Sequence, residues 1–348
     1  MKKVRNMALL KAPYALIASL GLFYAGGAYA QKAELVVYTT LEKEQLAPYA
    51  AAFTKDNPDI SITWLRESPG ILVARVLAEK QNLQADVFWG IPLTNLLSFE
   101  KDDLLMSYRP AGAEELKPRF QDTRENPTWA GMDTWLSMIC YNSVEGEKRG
   151  IPAPKTWQDL ANPVYKGQIV MPNAVSSHSG YMNVNDWLQK LGNDKGWEFM
   201  DALNQNIASY THSGTKPCKM AAAGEYVVGI SNDIVAPSLK SKGAPIDIIV
   251  PSDKVSWEIE ASAIAKTTKN PEAAKRLMDW TVSKQANEEY NKFMAIVARP
   301  DVTGKPKNYP ENAESLLSEN DYAVSLANRD AVLVEWSKRY DAKSEPKQ

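Results

Sequence analysis

Three short segments carry hydroxyls and glycine between an apolar run and a helical pattern: Ser68-Pro69-Gly70, Ser176-Ser177-His178-Ser179-Gly180 and Ser213-Gly214-Thr215. A helix that begins at such a turn leaves backbone N–H groups without intrahelical partners and points the positive end of its dipole at the turn. Neutral hydroxyls add donors without adding charge, so the combination suits an oxyanion. Each turn alone reads as ordinary N-capping. Three in one chain point to a shared anion site. His178 and His212 are the only histidines, each adjoins one of these turns, and either ring could donate to an anionic oxygen.

The motifs of catalysis are missing. No G-x-S-x-G elbow, Walker-type loop or H-E-x-x-H occurs, and no histidine-plus-carboxylate set is in view to activate a hydroxyl. The residues therefore read as a binding protein, with a periplasmic hydrolase as the enzyme-class alternative. Two cysteines and two histidines at these spacings fit no metal pattern, so neither a metal nor a cofactor is expected. Cys140 and Cys218 are open to two readings: a disulfide, which would be worth about 4 kcal/mol in the chain-entropy model, or two buried thiols.

What must position these residues is an alternation of strands and helices. Leu35 to Tyr38 and Ala85 to Gly90 read as buried strands, Ile60, Ile62 and Trp64 alternate as another, and Leu46, Tyr49 and Phe53 recur at helical spacing. Such a β-α-β-α-β run folds as a parallel sheet, and the ligand crevice of such sheets lies beyond the carboxyl ends of the strands. The middle of the chain repeats the theme with strand candidates at 135–141, 167–171, 227–231 and 246–250 and a helical stripe of Val184, Trp187, Leu188 and Leu191. The last third is helical, with Val332, Leu333 and Trp336 on one face. At the other end, Lys2, Lys3, Arg5 and Lys11 precede the short apolar run 14–24 and then Ala28-Tyr29-Ala30. This reads as a signal peptide cut after Ala30, delivering a soluble chain to the periplasm. The formal charge of −2 over 348 residues gives no reason to expect nucleic acid.

The order of the leader, Val37-Tyr38-Thr39-Thr40, Ala85 to Trp89, Trp135 to Asn142 and Asn270-Pro271-Glu272-Ala273-Ala274 resembles the bacterial solute-binding proteins related to ferric-iron binders. Lys166 to Asn173, Tyr210 to Gly214, Lys216-Pro217-Cys218 and Arg339 to Pro346 look more narrowly like the branch that binds 2-aminoethylphosphonate. The resemblance implies a two-lobed α/β binding protein of type II, each lobe a mixed sheet flanked by helices. Lobe one would comprise 31–134 plus 261–348 and lobe two 135–260, joined by crossing strands near Trp135 to Cys140 and Glu258 to Ala263. It also implies a monomer that hands its solute to an inner-membrane ABC permease and ATPase. Iron, a polyamine or another small anion is the alternative solute. Ferric binders place adjacent tyrosines where this chain has Asn232-Asp233-Ile234, and no Tyr-Tyr pair occurs, which disfavours iron. For a phosphonate, the anionic end would rest on Ser68, Ser177, Ser179, Gly180, Ser213 and Thr215, with Thr40, His178 and Gly214 as further ligand-binding candidates. An ammonium end would need a carboxylate or an aromatic face, with Glu42, Asp233, Glu260 and Trp89 as candidates.

Overall fold

The computed structural model describes residues 32–346, so the expected leader and its cut after Ala30 lie outside the described residues. The chain opens with β1 (Ala33–Thr39), α1 (Lys43–Asp56), β2 (Ile60–Arg66), α2 (Pro69–Glu79), β3 (Val87–Pro92), α3 (Leu93–Lys101) and the short β4 (Leu105–Met106). β1 lies between β2 and β3, parallel to both. Parallel neighbours need a crossover connection, which α1 and α2 supply. β3 is buried along its whole length, as expected of a strand covered on both faces.

β5 (Ala130–Asn142) is buried at every position. It leads into α4 (Ser143–Arg149), β6 (Ile169–Pro172), α5 (His178–Leu191), α6 (Asn193–Asn206), β7 (Ile207–Thr211), α7 (Lys216–Ala222), β8 (Val228–Asn232), α8 (Ala236–Ser241) and β9 (Ile246–Ile249). β10 (Trp257–Ala265), α9 (Pro271–Thr281), α10 (Lys284–Tyr290), β11 (Ile296–Val297) and α11 (Tyr322–Tyr340) complete the order. The strands run β2-β1-β3-β10-β5-β8-β6-β7, with β4 on β10 and with β9 and β11 on β5. The first half of β5 pairs antiparallel with β10, and its second half with β8 and β9. One strand therefore belongs to both halves of a curled, mixed sheet flanked by helices, the arrangement of a two-lobed type II binding protein.

Two hydrophobic cores divide along that strand, Trp135 belonging to the first and Leu136 to the second. The chain changes core again between Val255 and Ile259. From the sequence all of 261–348 is expected in lobe one; the buried apolar residues up to Val302 join the first core, and beyond them the partly buried Leu317 and Tyr322 also pack against it. Tyr309, Ala313, Val332, Trp336 and Tyr340 join the second core. The apolar stripe of α11 explains this: Trp336 meets Tyr210 edge-on at 4.9 Å, and Tyr340 lies against Trp197. Cys140 and Cys218 form a disulfide that ties β5 to α7 inside the second core, across 78 positions of sequence.

Candidate functional site

A narrow cleft lies between the two cores, lined by Thr40, Glu42, Arg66, Ser68, Pro69, Pro92, Trp135, Ser177, Ser179, Ser213, Gly214, Asn232, Ile234 and Glu260. Most of these residues stand at or just beyond the carboxyl end of a strand. Thr40 and Glu42 follow β1, Arg66 ends β2, and Ser68 precedes α2. Pro92 ends β3, Ser177 and Ser179 follow β6, Ser213 and Gly214 follow β7, and Asn232 ends β8. That is where open α/β sheets place their crevice. The two exceptions, Trp135 and Glu260, come from β5 and β10, which form the floor between the cores.

The turns deliver donors as their sequence suggests. Ser68 caps α2 with Pro69 in its first turn, and Ser177 caps α5, yet neither side chain is used in capping. Both hydroxyls are left for the cleft. Ser179 Oγ accepts from Asn232 Nδ2 at 3.0 Å, and Gly214 O accepts from Ser231 Oγ at 2.7 Å. A Cβ on Gly214 would fall 2.4 Å from Ser179 Oγ and 3.2 Å from Ser177 Oγ, so only glycine lets the third turn close over the second. Thr40 donates to Gly90 O at 2.6 Å.

Direct contacts join the cores across the cleft. Glu42 accepts from Thr215 Oγ1 at 3.1 Å, and Lys219 stands 3.9 Å away, while Arg66 on its own side lies at 3.4 Å. Arg66 is thus the cation at the cleft wall. Deeper down, His178 Nε2 is 2.8 Å from Glu258 Oε2, which also accepts from Thr94 Oγ1 at 2.5 Å. This pin links α5 to β10 and α3.

Other expected site residues stand elsewhere. Trp89 is not an aromatic face of the cleft: it is fully buried in the first core, 5.2 Å from Trp64 and 5.5 Å from Trp280. Trp135 is the cleft's aromatic. His178 is committed to Glu258 and does not line the cleft, and Gly180 serves the close approach of α5 to Pro172 O. Thr215 spends its hydroxyl on Glu42. Asp233 is buried with Oδ1 on Leu136 N (3.0 Å) and Oδ2 on Tyr309 OH (2.8 Å), which leaves it no place at an amine. Burial pushes its carboxyl up to about 7, against the hydrogen bonds that pull it down.

Arg66, Trp135 and Asn232 line the cleft without having been expected at the ligand. A strand-end rule applied to every strand, rather than only to the serine-bearing turns, finds Arg66 and Asn232. Among the described residues no cluster of three or more His, Cys, Asp or Glu could hold a metal ion. The arrangement suits a small oxyanion at the serine turns and Arg66, with a carboxylate, Glu260, at the floor.

Residues 94–326 match the model of the bacterial extracellular solute-binding proteins. An uncharacterized protein of Haemophilus influenzae is 28% identical over 286 residues, covering 81% of this chain and 82% of that one. A probable ABC transporter periplasmic-binding protein of Sinorhizobium fredii is 25% identical over 265 residues, 73% of this chain and 72% of its own. Among solved structures, the periplasmic binding protein AfuA of Actinobacillus pleuropneumoniae with fructose-6-phosphate bound is 26% identical. It superposes with a TM-score of 0.83 over 89% of this chain and 99% of that one.

Proposed function

The chain belongs to the bacterial extracellular solute-binding protein family, and we propose that the solute it carries to its ABC importer is a small molecule with a phosphonate or phosphate-monoester head. As a periplasmic solute receptor it is not an enzyme; its task is to bind, close and release. The carrying observation is the cleft itself: Ser68, Ser177, Ser179, Ser213 and Gly214 converge on one cavity with Arg66 and no metal ligand set. Neutral donors plus one guanidinium can hold a multiply charged oxyanion without a metal, and Arg matches its oxygens two at a time. The sequence resemblance favours 2-aminoethylphosphonate, and the fructose-6-phosphate bound to AfuA supports the same head chemistry on a phosphate ester.

In this reading the lobes are 32–134 with 259–302, and 136–255 with the segment from Tyr309 onward. They close by a hinge on the strands that cross between them. The solute stabilises the closed form because it touches both lobes. Calorimetric titration with 2-aminoethylphosphonate, fructose 6-phosphate, ferric citrate and putrescine tests the proposal. A phosphorus-bearing compound should bind in the micromolar range or tighter, while putrescine and ferric citrate give no signal. A response to ferric citrate alone would end the head-group reading.

A further inference from the structure

Directly beneath the cleft, the antiparallel register of β5 and β10 sets Asp133 opposite Glu260. Two carboxylates facing each other across strands repel. Here they are also out of water: Asp133 is fully buried and Glu260 is 3% exposed. No donor from any other described residue reaches either oxygen of Asp133 or Oε2 of Glu260, so the two carboxyls have only each other. The neighbouring charges that act on them are negative. Asp233 and Glu42 add negative potential, Tyr49 from α1 and Tyr290 from α10 are near enough to feel the pair, and Arg66, the cation of the cleft wall, stands 3.4 Å from Glu42. Burial holds both carboxyls well above the ordinary range; at Glu260 the charge of Asp133 adds to it, whereas at Asp133 the contact with Glu260 opposes it. Such a pair keeps one proton between them at neutral pH. One shared proton serves two of these oxygens, and buried polar atoms left without partners are uncommon in native proteins and ask for an occupant. Glu260 lines the cavity, so the occupant can come from the cleft.

We propose that Glu260, backed by Asp133, is the subsite for an ammonium group on the tail of the ligand. The inference rests on the head-group reading above and adds the other end of the molecule. In the empty cleft the two carboxyls share one proton and one negative charge. When the ammonium arrives, that proton leaves to solvent, both carboxylates ionise, and the cation takes the proton's place. The charge balances: one positive group enters and one proton departs. Glu260 touches the ligand; Asp133 acts through it.

The test compares 2-aminoethylphosphonate with ethylphosphonate, which keeps the head and lacks the amine. Calorimetry at pH 7 in buffers of different ionisation enthalpy counts the protons released. An ammonium lowers the second ionisation of its own phosphonate, so the two heads differ in charge at pH 7 and each compound is compared with itself in wild type and Glu260→Gln. With the amino compound the wild type should release about one proton more than Glu260→Gln, with ethylphosphonate the two should release equal numbers, and the wild type should bind the amino compound roughly tenfold tighter or better. In Glu260→Gln the preference for the amine should disappear; Asp133→Asn should lose the same proton. A proton count for the amino compound that is equal in wild type and Glu260→Gln overturns the subsite, as does a preference that survives Glu260→Gln. Binding of fructose 6-phosphate with indifference to the amine also overturns it, while leaving the head-group reading intact. Failure of every phosphonate and phosphate ester to bind takes down both.

Discussion

Asn232 and Asp233 are adjacent in sequence and do different work. Asn232 ends β8 and reaches the cleft through Ser179, whereas Asp233 turns the other way and pins the start of the second core to Leu136 N and Tyr309 OH. Asparagine at 233 can accept only through one oxygen and would turn its amide N–H toward one of these two donors. Leaving a buried hydrogen-bonding group unmatched costs about 1–3 kcal/mol. Asp233→Asn should therefore lower the unfolding free energy by that amount, measured by denaturant titration. It should weaken 2-aminoethylphosphonate and ethylphosphonate alike. A selective loss of the amino compound would return Asp233 to the ligand and contradict its placement. Glu260→Gln should behave in the opposite way, changing selectivity while relieving a repulsion.

At the scale of elements, the strand-to-helix turns were legible because local chemistry writes them. Serine before Pro69 and glycine after Ser213 need no tertiary context to be read as caps and turns. The direction a residue faces was legible only where a strand has one wet side. β5 is buried on both faces, so no alternation distinguishes Asp133 from its neighbours, and a charge inside the run Met132 to Trp135 was its only mark. Trp89 misled for the same reason, since a buried strand end and a cleft wall have the same composition. The lobe to which α11 belongs depended on partners at Tyr210 and Trp197, far away in sequence. The turn before α2 yields a further prediction. A Cβ on Gly70 would sit 2.2 Å from Val175 O, the backbone of the facing turn. In an open form that obstacle vanishes, and alanine is the better helix former by about 0.5–1 kcal/mol. Gly70→Ala should leave the melting temperature of the free protein unchanged or raised, weaken the solute by about tenfold or more, and reduce the compaction that small-angle scattering detects on binding. Full affinity in this variant would mean that the two turns do not meet in the bound state.

For the whole molecule, the buried carboxyls set how stability responds to pH. Asp133, Asp233 and Glu260 are all raised in the folded state, so between about pH 4 and their folded values the native chain holds more protons than the unfolded one. Stability must fall as pH rises through that window, which for Asp233 extends to about 7. The opposite group is smaller in reach. Asp122, beside Arg124, and Glu345, beside Lys216 and His212, are held below their ordinary values. Their contribution is complete above the unfolded carboxylate range and is lost only as pH drops through their lowered folded values. The ligand-free protein should therefore be most stable at mildly acidic pH, about 4–5, rather than near neutrality. A solute whose ammonium replaces the shared proton reverses the trend, because its binding releases a proton and strengthens as pH rises. Thermal unfolding at intervals from about pH 4 to 8, with and without saturating 2-aminoethylphosphonate, reads both effects at once. The free protein's melting temperature should decline toward pH 8 while the increment due to ligand grows. Glu260→Gln should flatten both slopes. A ligand increment that shrinks with rising pH would mean that the carboxyl pair gives up no proton to the solute.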